Sequence, residues 1–211
     1  QEILTNLYDI YGNDKNFNIP IIVDSLLSCE ICKLYGEILS DDNLDYWNKV
    51  YNWENVTYVT DKDKSKGWIE NNIPKIIISS SGFCTNGRIV GYLQKYIKDE
   101  KSMIIFSGYT GDNPSYLSYR IKNYRENKSI KINKELIPNR ADCITLSTFS
   151  SHANFNDLVK VGSSLNTNKL ILVHGSQEAK KCLIPKLTEA ISNNNKTYRV
   201  IGANRGMIVR L

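Results

Sequence analysis

The sequence predicts an α/β fold built on a mostly parallel, doubly wound sheet. Three observations carry this. Short apolar runs alternate with amphipathic helical stretches along most of the chain, the pattern of βαβ units. Several of these runs end at small or polar residues, as at Asp24-Ser25, Ser79-Ser80-Ser81-Gly82 and Gly108-Tyr109-Thr110-Gly111. Two more, Asp142 to His152 (DCITLSTFSSH) and Leu170 to Gly175 (LILVHG), each read as a buried strand that ends on a histidine. These are the chain's two histidines, His152 and His174. Strand exits in α/β proteins hold side chains rigidly while the loops stay open, so ligands and catalytic groups gather there. A single histidine at a strand end is more often a hydrogen-bonded scaffold residue than a ligand. Two at matching positions, each beside Ser or Gly, favour a site.

Taken in order, Gln1 to Tyr11 places Ile3, Leu4, Leu7, Tyr8 and Tyr11 on one helical face, and Gly12-Asn13-Asp14 ends it. Ile19 to Val23 is a strand, and Asp24-Ser25 caps a helix from Leu26 to Leu39. A second helix runs from Asp41 to Val50. Val56 to Thr60 is a short strand, Asp61 to Asn71 a solvated helix, and Lys75 to Ser79 a strand opened by Pro74. Arg88 to Ile97 is helical, Met103 to Ser107 is extended, and Asn113-Pro114-Ser115 starts a helix with proline in its first turn. Ser129 to Ile137 has the look of a hairpin leading into the strand before His152. Phe155 to Leu165 and Glu178 to Ser192 are helices around the strand Lys169 to Val173. Tyr198 to Ile201 and Met207 to Leu211 close the chain as two strands around Asn204-Arg205-Gly206.

Composition fits a globular chain of 211 residues with one large or two small cores: 41% of residues are hydrophobic and 23% charged. No apolar run reaches eighteen residues, so no membrane span is expected, and no signal-peptide pattern opens the chain. A net charge of +5 permits a polyanionic partner without demanding one. Five scattered cysteines argue for a reducing, cytoplasmic setting rather than a disulfide framework. Cys29-Glu-Ile-Cys32 is formally a CxxC pair, but it lies in an apolar helical pattern with no second pair, as two buried thiols would. A first residue of Gln rather than Met is expected of a piece of something longer.

Residue types at the strand exits suggest anion chemistry. Ser80, Ser81, Gly82 and Thr85 precede the helix that Arg88 begins, and such a strand-to-helix turn presents hydroxyls and free backbone N–H groups. Small residues that merely let the turn close explain the pattern equally well. Tyr109 and Thr110 repeat the device, and Tyr109 is placed either to stack on a base or to pack. The bases Arg120, Lys122, Arg125, Lys128, Lys131 and Lys134 outnumber the one acid Glu126 from 120 to 134. Such a run is usually a solvated surface, yet it also suits an RNA approach, where neutralising phosphates dominates affinity. No GxGxxG follows the first strand, which weakens a dinucleotide reading.

FSSHANFNDL followed by LILVHGS resembles the end of a β-CASP metallo-β-lactamase-fold RNA nuclease, where FSAHAD and LVHGE are the usual forms. Ribonuclease J and the cleavage-and-polyadenylation endonuclease belong to that group. IPIIVDSLLS (19–28), IISSSGFCTNGRIVGYL (77–93) and IIFSGYTGDNPSYLSYRI (104–121) resemble the family's IPIYLDSPLA, ASSGMCTGGRILHHL and VLFVGYQAEGTLGRRL, in the family's order. The resemblance implies a β-CASP domain over 1–148, lacking its first part, and a C-terminal segment of a metallo-β-lactamase αββα domain over 149–211. It implies RNA as substrate and phosphodiester hydrolysis assisted by two zinc ions that position and ionise water. His152 takes the place of the catalytic histidine at the scissile phosphate, and His174 that of a zinc ligand. Ser80, Ser81, Gly82, Thr85, Arg88, Tyr109, Thr110, Ser150 and Ser151 become candidate substrate contacts.

The departures matter as much. The family's main zinc motif, HxHxDH, and further His and Asp ligands precede this region, and the chain has no HxH. A hydrolytic zinc needs at least three protein ligands, so the chain alone is expected to be inactive. Asn154 stands where the family has Asp and Ser176 where it has Glu, while Gly91 and Tyr92 replace a His-containing pair of some members. Two other classes stay open: a catalytically degenerate module that binds RNA or a partner, and a Rossmann-like enzyme acting on a phosphorylated small molecule. A homo-oligomer is compatible with the sequence.

Overall fold

The computed structural model describes residues 1–124, 129–146, 148–149 and 152–209. The chain divides into two compact units, 1–150 and 151–211. In the first, β1 (Ile21–Val23) lies between β2 (Val56–Tyr58) and β3 (Ile76–Ile78), parallel to both. Its residues Ile21, Ile22 and Val23 are all but inaccessible, as a central strand covered on both faces must be.

Helix α1 (Glu2–Tyr11) sends Leu4 into this core beside Trp47 and Val50 of α3 (Asp41–Tyr51) and Cys29 and Cys32 of α2 (Leu26–Ile38). Both cysteines are free thiols, with burial pushing each thiol pKa up. Ser25 is the true N-cap of α2, its Oγ accepting the Ser28 N–H at 3.2 Å, and Asp24 beside it does something else. Asp61 caps α4 (Lys62–Glu70), taking the N–H groups of Asp63 and Lys64.

A second core gathers Leu93 of α5 (Ile89–Tyr96), Phe106 of β4 (Met103–Phe106), and Leu117 and Ile121 of α6 (Leu117–Asn123). The hairpin β5 (Ser129–Ile132) and β6 (Glu135–Pro138) adds Ile130, Ile132 and Ile137, turning at Asn133 in the left-handed region. β7 (Asp142–Thr145) pairs in parallel with β4. The second unit consists of α7 (Phe155–Ser164), β8 (Lys169–Leu172), α8 (Gln177–Asn193) and β9 (Arg199–Gly202), with β8 parallel to β9. Its core is Leu187, Ile191 and Tyr198 against Leu170 and Leu172.

The α/β class and parallel pairing follow the expectation, but among the described residues the strands fall into four small sheets rather than one. Three expected elements differ. β7 is not a buried strand: Ile144, with Met103 and Ile105 on β4, stands on an exposed face of a two-stranded sheet. The helix after Asn113-Pro114 starts only at Leu117, because Asn113 first closes a turn by accepting from the N–H groups of Ser115 and Tyr116. Met207 to Val209 form no strand.

Candidate nucleic-acid interface

The exits of β1, β3 and β4 meet. Ser25, just past β1, shares a hydrogen bond with Ser80 through their hydroxyls at 2.9 Å. Ser79, just past β3, donates its Oγ to the Asp24 carbonyl at 2.7 Å. A side chain on Gly82 would come within 3.3 Å of the Tyr109 carbonyl, so the loops after β3 and β4 lie against each other. Gly87 closes the β3 loop in the left-handed region, and any Cβ there would sit 2.8 Å from the Ser80 carbonyl oxygen. The loop thus returns on itself, and Ser81 Oγ reaches Asn86 Oδ1 at 3.2 Å.

Beneath these loops lies Asp24, which the sequence predicts to cap α2. The Asp24 side chain is fully buried. One of its carboxylate oxygens accepts from Arg88 Nη1 at 2.5 Å, the other from Ser65 Oγ and the Tyr92 hydroxyl, each at 2.6 Å. Arg88 also donates to the carbonyls of Val59 and Thr60, each at 2.7 Å. A buried charge is tolerable only when paired and hydrogen-bonded in this way. Burial, and after it the Asp24 carboxylate, pushes the Tyr92 phenol well above its usual pKa, so Tyr92 remains a donor. The signal available in the sequence was an acid directly after the most apolar strand, IPIIVD.

The candidate contacts therefore separate. Ser80, Ser81, Gly82 and Tyr109 come together at the loop surface. Tyr109 is 71% exposed, and its ring meets Phe83 edge-on at 6.4 Å while Phe83 stacks on Tyr116 at 4.5 Å. Arg88, expected to meet substrate, has its guanidinium committed to Asp24 and two backbone carbonyls. Thr110 is buried, its hydroxyl held by Lys122 Nζ and its carbonyl by Ser118 Oγ. Thr85 lines a separate cleft with Arg120 and Lys131. Ser150 and Ser151 lie outside the described residues.

The histidines belong to the second unit. His174, exposed, follows β8 with φ +64°, and Gly175 continues the left-handed turn at φ +72° before α8. His152, also exposed, precedes α7. The two departures beside them have a local reason. Asn154 caps α7, its Oδ1 accepting from the N–H groups of Asn156 and Asp157 while Asp157 answers to the Asn154 N–H. Ser176 caps α8 by accepting from the Ala179 N–H at 3.1 Å. Among the described residues, no three His, Cys, Asp or Glu side chains stand close enough to share a metal ion. The described residues therefore do not fit a hydrolytic zinc centre by themselves.

Comparison with known proteins identifies the family. Residues 1–114 match the Beta-Casp domain, and residues 136–197 match a Zn-dependent metallo-hydrolase RNA specificity domain. The chain belongs to the β-CASP family of metallo-β-lactamase-fold RNA nucleases. It is 29% identical over 197 residues to the transcription termination factor FttA of Methanocaldococcus jannaschii, covering 87% of this chain and 30% of that protein. It is 24% identical over 186 residues to the endoribonuclease YSH1 of Kluyveromyces lactis, covering 83% and 24%. A ribonuclease of Thermus thermophilus, TTHA0252, is 26% identical over 184 residues, covering 84% and 41%. The chain thus spans about a quarter to two-fifths of the length of these relatives. The match leaves the Rossmann-like small-molecule reading without support.

Proposed function

We propose that this chain is the RNA-holding β-CASP region, with the C-terminal part of the metallo-β-lactamase domain, of a zinc-dependent nuclease that hydrolyses RNA phosphodiester bonds. The domain boundary is drawn near residue 148. The observation that carries the reading is the meeting of three strand exits at Ser25, Ser80 and Tyr109. It puts hydroxyls, open backbone and an exposed aromatic ring together, the combination that suits phosphates and an unstacked base. Ser80, Ser81, Gly82 and Tyr109 are the direct contacts. Arg88 and Thr110 act from below by holding the loops.

His152 serves as the proton donor to the leaving 3′-oxygen, a role for which an imidazole N–H is chemically suited. His174 would serve as one ligand of the zinc pair. The names of the relatives, which include endoribonuclease and ribonuclease, support hydrolysis as the activity of the whole protein. The chain by itself, with one ligand of the family's set, binds RNA without cleaving it. Fluorescence anisotropy of this chain with a short labelled single-stranded oligoribonucleotide tests the reading. Saturable binding that weakens with salt is expected; no binding at low salt overturns it.

A further inference from the structure

The first unit carries an open cleft of about 110 Å³ beside the β5–β6 hairpin, walled by Thr85, Val90, Leu117, Arg120, Lys131 and Asn133 among others. Arg120, on α6, donates Nη1 to the Lys131 backbone carbonyl at 3.2 Å, which pins the guanidinium against β5. The Nε of the same guanidinium is buried and has no hydrogen-bond partner among the described residues. Buried donors of a charged group are seldom left unmet, because the group then carries its full desolvation cost. Lys131 brings a second cation to the cleft, on an exposed residue.

None of the described lining residues is acidic. The one carboxylate of the hairpin, Glu135, accepts from Gln94 Nε2 at 2.8 Å, and Gln94 Oε1 accepts from Asn133 Nδ2 at 3.1 Å. Cys84, at the cleft, adds no negative charge, since burial pushes its thiol up to about 12. Val90 and Leu117 make part of the wall apolar, which strengthens any charge pairing inside. The space corresponds to roughly three or four water-sized groups, and a tetrahedral oxyanion presents four oxygens. The Arg120 guanidinium, the Lys131 ammonium and the Thr85 hydroxyl, all on residues that line the cleft, are the kind of donors such an anion needs.

We infer that this cleft is an oxyanion site that takes a phosphate group; resting on the RNA reading above, the group is a backbone phosphate of the bound strand. Titrating the ¹⁵N-labelled chain with inorganic phosphate, and separately with a short single-stranded oligoribonucleotide, tests it. The readout is the Arg120 Nε–H resonance, in the native chain and in Lys131→Ala. A saturable shift with both ligands is expected, the oligonucleotide acting at lower concentration, and Lys131→Ala weakens both by roughly fivefold or more. An unmoved resonance in both titrations, or identical curves from Lys131→Ala, overturns the site. Oligonucleotide binding that leaves Arg120 unmoved overturns the site and keeps the RNA reading. A response to phosphate without any oligonucleotide binding keeps the site and overturns the RNA reading.

Discussion

The fully buried carboxylate of Asp24 meets the Arg88 guanidinium at 2.5 Å, although 64 positions separate them in the chain. The pair ties the exit of β1 to the start of α5, and through Val59 and Thr60 it reaches the exit of β2 as well. It is the floor on which the Ser80–Gly82 loop rests.

Removing one partner leaves the other charged, buried and unpaired. Arg88→Met is expected to cost about 3–5 kcal/mol of folding stability. Asp24→Asn is expected to be comparably harmful, and the double variant to lose less than the sum of the two. Arg88→Lys does not restore the native value, because a single ammonium cannot span the carboxylate and two carbonyls in a fixed fork. Urea unfolding of the four variants measures all of this.

Tyr109 offers its ring to solvent with its hydroxyl donated to Asp112 at 3.2 Å. Tyr109→Ala is expected to weaken oligoribonucleotide binding on the order of five- to a hundredfold, the range for losing one stacked base. Tyr109→Phe keeps most of the affinity, since the stacking face and not the hydroxyl is at work. Unfolding midpoints stay near native in both, as befits a surface position. Anisotropy titrations beside thermal melts separate this from misfolding.

Asn154 and Ser176 hold the first turns of α7 and α8. Asn154→Ala and Ser176→Ala are each expected to cost about 0.5–2 kcal/mol. Asn154→Asp, the form common in the family, is expected to fold as well as the native chain, because aspartate caps equally well and favours the helix N-terminus. A large loss in Asn154→Asp by denaturant titration would refute the view that this departure is a cap-for-cap exchange.

The histidines should fail differently in the whole protein. His152→Ala is expected to lower RNA cleavage by about a hundred- to ten-thousandfold with zinc content unchanged, because a positioned acid is lost. His174→Ala lowers zinc content first and cleavage with it. A substrate with a more acidic leaving alcohol needs less protonation, so it partly restores His152→Ala and not His174→Ala. Metal analysis beside cleavage rates on ordinary and activated phosphodiesters decides it; equal zinc loss in both variants would assign His152 to the metal or the scaffold.

Much of this molecule was legible in its amino acids. The alternation of IPIIV, VTYVT and KIIIS with amphipathic helices is a local pattern: β-branched and apolar residues suit a strand, the one buried on both faces, IPIIV, is the most apolar, and a helix needs one apolar stripe. The small residues at Ser80–Gly82 and Gly108 marked the open ends of strands for the same local reason. Tertiary structure alone decided which polar side chains face outward. Asp24, by sequence a helix cap, is a buried anchor; Arg88 and Thr110, by sequence candidate contacts, make hydrogen bonds to Asp24 and Lys122; Thr85 and Arg120 share a cleft across 35 positions of chain. Polarity and spacing are properties of a segment. The partner that satisfies a buried charge comes from far along the chain, and only folding selects it.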